Sequence, residues 1–322
     1  MTTVVTGCAG FIGAKVCSLL LKNGKRVVGI DNLNDAYDIR LKEYRLNLLR
    51  EEDNFDFHKI DITNDKELAE CLSKYTNIES VVNLAARAGV RKSIEIPYEY
   101  YHTNVIGTLN LLDFCKEFNI LKFVQASTSS IYGENKKPFT EDQNTDFSIS
   151  PYASSKKAAE NLCYTYHKLY DIDISVLRYF TVYGPAGRPD MSPFRFIRWI
   201  ARDEDVILYG DGIQERDFTY VDDIAEGTIL AIDSSGFQIL NLGNDKPIKI
   251  SYLIELIEKN LDKKARIVQH DTHITDVSAT WADITSAKKI LNWTPKVDIE
   301  KGLSLTVDWY LKNRDLADNL NL

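Results

Sequence analysis

Short β-branched runs alternate with amphipathic stretches of helix length through the first half of the chain. TTVVT (2–6), RVVGI (26–30), FDFHKI (55–60), SVVNLA (80–85) and LKFVQAS (121–127) each have the length and Val, Ile and Phe content of a buried strand. Strands separated by helices predict a parallel sheet with helices on both faces. A sixth strand, DISVLRYF (173–180), follows a helix beginning near Tyr152, and the pattern then loosens into TVYGPAGRPDMSP (181–193). Beyond it the chain predicts a helix in PFRFIRWIARD, a strand in VILYG, and a strand and helix in DFTYVDDIAEGTILAI. The fold class is α/β: a Rossmann-type doubly wound parallel sheet in residues 1–180, to which 214–240 return, and a smaller C-terminal α/β substrate domain in 181–322. There are no repeats or low-complexity segments.

Composition narrows the function classes. The 322 residues are 44% hydrophobic and 27% charged, values of a soluble globular protein. A net charge of -8 and a pI near 5.3 argue against nucleic acid or an anionic membrane as partner, so an anionic ligand must meet a local cluster of cations. Five scattered cysteines without a C-x-x-C predict reduced thiols rather than a disulfide framework. TTVVT follows Met1 with no basic segment or apolar leader, and no run is long enough to span a bilayer, so a cytoplasmic location is expected.

Four segments carry candidate chemistry. TGCAGFIG places Gly7, Gly10 and Gly13 between the first strand and an apolar helix, the context in which backbone N–H groups at a helix start receive a pyrophosphate. Asp31 ends the second strand, where a carboxylate accepts from ribose hydroxyls and repels a 2'-phosphate, favouring NAD over NADP. Y-x-x-x-K occurs at Tyr132/Lys136, Tyr152/Lys156 and Tyr164/Lys168, so spacing alone selects none of them. Ser150 as N-cap and Pro151 as first helical residue put Tyr152 in a first turn near the strand ends. Lys156, four residues on, shares its face and is expected, with a cationic cofactor nearby, to lower the phenol pKa toward that of a general base. Four hydroxyls, Ser127 to Ser130, end the fifth strand and supply a candidate proton relay, or else a solvated junction.

Together these residues resemble the extended short-chain dehydrogenase/reductase superfamily, and within it the NAD-dependent sugar-nucleotide epimerase/dehydratase family. VVNLAARAG, YYHTNVIGT, LRYF and ERDFTYVDDIAEG extend the likeness along nearly the whole chain. The resemblance implies a catalytic triad of Thr128, Tyr152 and Lys156. It implies a cofactor site that also includes Phe11, Ile12, Asn32, Asp61, Ile62, Leu84, Ala85, Ala86, Asn104, Ser127 and Tyr179. It implies that Arg91 and Arg216 serve the UDP-sugar, Arg216 at the diphosphate, and that two helices per subunit, around 98–118 and 151–170 with Tyr100, Leu111, Phe114, Leu162 and Tyr166, form a four-helix homodimer interface. Dehydratases of the family carry Asp-Glu after the threonine and decarboxylases a Glu, whereas this chain has Ser129 and Ser130. What remains is 4-epimerisation.

RYFTVYGPAGRPDM and AGVRKS are similar to UDP-glucuronate 4-epimerases. A guanidinium suits bidentate recognition of a carboxylate, so Arg188 is expected to hold the sugar carboxylate with help from Thr181, Ser129 and Ser130. The alternative is that Arg188 pairs structurally with Asp190. Arg87, Lys92, Ala186 and Thr275 depart from that subgroup's usual residues, which bears on substrate tolerance. An epimerase of neutral UDP-hexoses and a non-catalytic NAD sensor remain as other readings, the sensor disfavoured by the intact tyrosine and lysine. His270-x-x-His273 with Asp276 reads as polar surface rather than a metal site, and Arg195, Arg198 and Arg202 as either a phosphate-reaching or a solvated helix face.

Overall fold

Seven strands run parallel in one sheet, in a computed structural model that describes residues 2–271 and 277–321. They are β1 (Thr2–Thr6), β2 (Arg26–Ile30), β3 (Phe55–His58), β4 (Ile78–Asn83), β5 (Lys122–Thr128), β6 (Asp173–Tyr179) and a seventh, Phe237–Leu242. The spatial order is β3-β2-β1-β4-β5-β6 and then the seventh. The order reverses between β1 and β4, and open α/β sheets bind ligands at such a switch point. Both faces of the sheet are covered, so Val4, Val5, Val27, Val28, Val81, Val82, Val124, Val176 and Leu177 are all buried. This explains why the strands read as continuous apolar runs instead of alternating ones.

Helices form where the apolar spacing changes from two to between three and four. Phe11–Lys22 buries Val16, Cys17, Leu20 and Leu21, and Val221–Leu230 packs beside it, joined at the surface by Lys15 to Asp222 at 3.0 Å. Pro151–Tyr170 begins as its sequence predicts: Ser150 caps it by accepting from the Ala153 N–H at 3.2 Å, with Pro151 at the first helical position. Between helices Pro97–Tyr101 and Gly107–Glu117 the chain widens into a π-helical turn, His102–Ile106. The five cysteines are buried and free.

A second core fills between helices Ser192–Ala201, Ile250–Leu261 and Ile299–Lys312, where Phe194, Phe196, Ile197, Leu253, Ile257, Leu303 and Val307 meet. Two small parallel pairs accompany it, Asp205–Tyr209 with Arg266–His270 and Thr181–Tyr183 with Phe218–Tyr220. Among the described residues no helix is long and apolar enough to cross a membrane, and no cluster of His, Cys, Asp and Glu could hold a metal ion. His270 ends an exposed strand, while His273, Thr275 and Asp276 lie outside the described residues.

Candidate active site

A cleft of about 1040 Å³ runs along the C-terminal ends of β1, β2, β4, β5 and β6 and on to the second core. At one end lies the glycine loop. Gly7 has φ +69°, and a Cβ there would sit 2.7 Å from the Ala85 nitrogen; one on Gly13 would sit 2.0 Å from the Gly7 carbonyl oxygen. Only glycine allows the loop to press against β4 and the helix to press against the loop. Gly10 begins that helix without any side-chain cap, so its first N–H groups are open to an anion. These features fit a dinucleotide pyrophosphate.

Asp31 is buried at the end of β2. It accepts from the Ala9 N–H at 3.1 Å and the Leu33 N–H at 2.8 Å, which fixes the carboxylate beside the loop. Asn32 donates to Asp61 at 2.7 Å. Burial raises the Asp61 pKa, but hydrogen bonds from Thr63 and Asn32 outweigh that and hold it below the usual carboxylate value. Phe11, Ile12, Ile62, Leu84, Ala85 and Ala86 line the same end of the cleft.

Behind the wall, polar side chains set the loop leaving β4. Thr6 donates to Asn83 at 2.6 Å and accepts from the Ala85 N–H at 3.2 Å. Asn104 does not line the cleft: its amide accepts from the Arg87 N–H at 2.9 Å and donates to the Arg87 carbonyl and to Ser155. The π-helical turn puts it there, so its contact is with the backbone that lines the site.

Thr128, Tyr152 and Lys156 meet at the middle of the cleft. Burial raises the Tyr152 pKa, while a hydrogen bond with Thr128 and the charge of Arg188 lower it. Lys156 is 3% exposed and donates to the Ala126 carbonyl at 2.9 Å; burial lowers its pKa to about 8. The expected fall of the phenol pKa under Lys156 is therefore not found in the protein alone. Desolvation outweighs Thr128 and Arg188, and the lysine is turned to the β5 backbone. Thr128 accepts from the Ser130 N–H at 3.1 Å, which anchors Ser129 and Ser130 at the β5 exit. Ser127 is committed elsewhere, donating to Glu160 at 2.6 Å. Tyr179 lines the cleft but donates or accepts at Thr228 Oγ1, 2.8 Å away.

The two other Y-x-x-x-K pairs stay out of it. Tyr132 is buried and bonds to Asn241 at 2.6 Å, and Tyr164 is half exposed beneath the Lys168 ammonium.

Toward the second core the cleft is lined by Arg91, Thr181, Arg188, Arg195, Tyr209 and Arg216. Arg91 lies over the Tyr209 ring at 4.3 Å and Arg195 over Trp199 at 4.5 Å. Arg198 and Arg202 point instead to the C-terminal backbone, donating to the carbonyls of Leu320 and Asp318. Arg188 forms a two-point ion pair with Asp190, at 3.0 and 2.6 Å. Three residues that sequence reasoning missed hold this region. Lys42 is buried 3.9 Å from Asp31; Tyr37 stacks on Arg188 at 5.6 Å. Arg45 donates to the carbonyls of Ala9 and Ala186 and to the Tyr37 hydroxyl, tying the glycine loop to the Arg188 loop. On a helix read alone, Lys42 and Arg45 look like surface cations; only tertiary packing buries them. Of the departures, Arg87 pairs with Glu99 at 3.0 Å, Lys92 with Glu95 at 2.6 Å, and Ala186 takes φ +54°.

Comparison with known proteins agrees with this geometry. The model of the NAD dependent epimerase/dehydratase family matches residues 3–243. UDP-glucuronate 4-epimerase of Thermodesulfobacterium geofontis is 54% identical over 320 residues, 99% of each chain. The crystal structure of UDP-glucuronic acid 4-epimerase from Bacillus cereus in complex with UDP-glucuronic acid and NAD superposes with a TM-score of 0.91 at 37% identity, covering 97% of this chain and 99% of that one. UDP-glucose 4-epimerase of Thermotoga maritima with UDP-glucose gives 0.90 at 33%, covering 98% and 100%. A family match over residues 3–243 and a relative alike from end to end lead to one conclusion: the chain belongs to the NAD-dependent epimerase/dehydratase family.

Proposed function

We infer that this chain is an NAD-dependent UDP-glucuronate 4-epimerase, interconverting UDP-glucuronate and UDP-galacturonate through a 4-keto sugar. The observation that carries the reading is the single cleft. It joins the glycine loop, the Thr128, Tyr152 and Lys156 group, and Arg188 with Thr181, Ser129 and Ser130, and puts no carboxylate directly after Thr128. NAD, when bound, supplies the oxidant for carbon 4 and the reductant that restores it.

Gly7, Gly10, Phe11, Ile12 and Gly13 would take the pyrophosphate, Asp31 and Asn32 the adenosine ribose, and Asp61 and Ile62 the adenine. Lys156 and Ser127 stand toward the nicotinamide half, with Leu84 to Ala86 along the wall. Tyr152, in contact with Thr128, takes the proton of the 4-hydroxyl and later returns it to the carbon 4 oxygen of the turned keto sugar, whose other face is then the one reduced. Burial raises the pKa of Tyr152, the Thr128 hydrogen bond and the Arg188 charge oppose that shift, and further positive charge collecting around the phenol would oppose it more. Arg91 and Arg216 meet the diphosphate about which the keto sugar turns.

A 4-keto uronic acid is a β-keto acid, and it loses carbon dioxide when the bond to its carboxylate stands perpendicular to the carbonyl plane. Arg188 and the hydroxyls of Thr181, Ser129 and Ser130 hold the carboxylate out of that alignment. Residues 1–180, to which 214–240 return, chiefly serve the cofactor and the rest of 181–322 the UDP-sugar, with Arg91, Ser129, Ser130 and Arg216 of the first part also facing the sugar nucleotide. Of the residues expected at a homodimer interface, Tyr100, Leu111, Phe114 and Tyr166 are buried within the protomer, whereas the exposed Tyr98, Tyr101, Ile106, Tyr164 and Leu169 of the segments 98–118 and 151–170 suit a homodimer.

The ion pair of Arg188 with Asp190 favours a second reading, a 4-epimerase of neutral UDP-hexoses in which Arg188 is structural. Incubation with UDP-glucuronate, UDP-glucose and UDP-N-acetylglucosamine, with products resolved by mass and retention, separates the two. UDP-galacturonate at unchanged mass is expected. Turnover of the neutral sugars alone would overturn the assignment.

A further inference from the structure

The Arg188 guanidinium is gripped from several sides. Asp190 takes its Nε and Nη2 edge at 3.0 and 2.6 Å, the Ala88 carbonyl receives Nη2 at 3.4 Å, and the Tyr37 ring lies 5.6 Å from its centre. Local sequence builds this. The Met191 N–H donates to the Arg188 carbonyl at 3.3 Å, closing a turn with Pro189 second, the position that suits its fixed φ. The turn brings the side chains of Arg188 and Asp190 together. Just upstream, Arg45 holds the Ala186 carbonyl and the Gly187 N–H donates to Gly184 at 3.1 Å, so the whole segment is anchored to the glycine loop.

We propose that Asp190 is a positioning residue: by holding Nε and Nη2 of Arg188, it directs the remaining donor group, Nη1, to the substrate carboxylate. This rests on the reading of Arg188 given above. An arginine has four rotatable side-chain torsions and five donors. Fixing one edge with a carboxylate removes most of that freedom before substrate arrives. Asp190 lines the cleft together with Arg195 and Tyr100, at its open side, with its side chain 39% exposed. The pair thus makes a relay of charge, carboxylate to guanidinium to substrate carboxylate, and a neutral sugar has nothing to place at its end.

The test compares Asp190→Ala, Asp190→Glu and Arg188→Ala with the parent as NAD-loaded enzymes. Asp190→Ala should raise KM for UDP-glucuronate about tenfold, the effect of losing one charge-assisted contact, with a smaller change in kcat. It should also release a larger share of product as carbon dioxide and UDP-pentose. Calorimetric affinity for UDP, which lacks the carboxylate, should stay that of the parent and so report an intact fold. Asp190→Glu should recover part of both losses. If Asp190→Ala matches the parent in KM and carbon dioxide release while Arg188→Ala does not, Asp190 has no positioning role. If it binds UDP-glucuronate more tightly, Asp190 is a competitor for Arg188 and the proposal is wrong. If Arg188→Ala itself matches the parent, it is the reading of Arg188 that fails.

Discussion

Lys156 shows how much a single residue's environment decides. The helix supplies the four-residue spacing from Tyr152, and burial decides what the ammonium does: its pKa falls to about 8 and its donor goes to the Ala126 carbonyl. Between about 8 and the ordinary 10.5, the unfolded chain binds more protons than the folded one, so stability rises with pH across that window. Unfolding of cofactor-stripped protein should therefore show a gain from pH 8 to 10 that Lys156→Met lacks, on the order of 3 kcal/mol at most. Equal gains in the two proteins would mean that the lysine is not desolvated. The tyrosine and lysine could be picked out from the sequence because a cap, a proline and a strand end lay beside them. Lys42 and Arg45 could not, because nothing on their own helix says that they are buried; for Asp190 the sequence offered the pairing with Arg188 but not where that pair sits in the cleft.

At the scale of elements, the site depends on how β5, β6 and the helix Pro151–Tyr170 are pinned together. Ser127 and Arg178 are register partners on β5 and β6. Both reach Glu160 on the helix, Arg178 through two bonds of 3.1 and 2.9 Å, and both charged side chains are at most 2% exposed. Arg178 also donates to the Tyr132 hydroxyl at 3.0 Å, and that hydroxyl donates to Asn241 on the seventh strand. Removing one member of such a pair strands the other charge. Glu160→Gln should cost about 3 kcal/mol in urea unfolding, and Glu160→Gln with Arg178→Met should recover much of it. A single variant costing under about 1 kcal/mol would show that the pair is not what joins the elements. Strand and helix periodicity made these elements readable in the sequence. The π-helical turn at His102–Ile106 and the network through Glu160 were not, because both depend on contacts between residues far apart in the chain.

For the whole molecule, the chain's net charge of -8 leaves an anionic ligand dependent on local cations. The cleft concentrates them, with Lys42, Arg87, Arg91, Arg188, Arg195 and Arg216 along one groove. The topological switch between β1 and β4 sets the cofactor end, and the second core sets the substrate end. A reaction that oxidises carbon 4 and restores it inside one groove has no need to exchange its hydrogen with water. UDP-glucuronate carrying deuterium at carbon 4 tests this most directly. The account predicts UDP-galacturonate that keeps the deuterium on carbon 4, at the mass of the labelled substrate; loss of the label to solvent during turnover would contradict it.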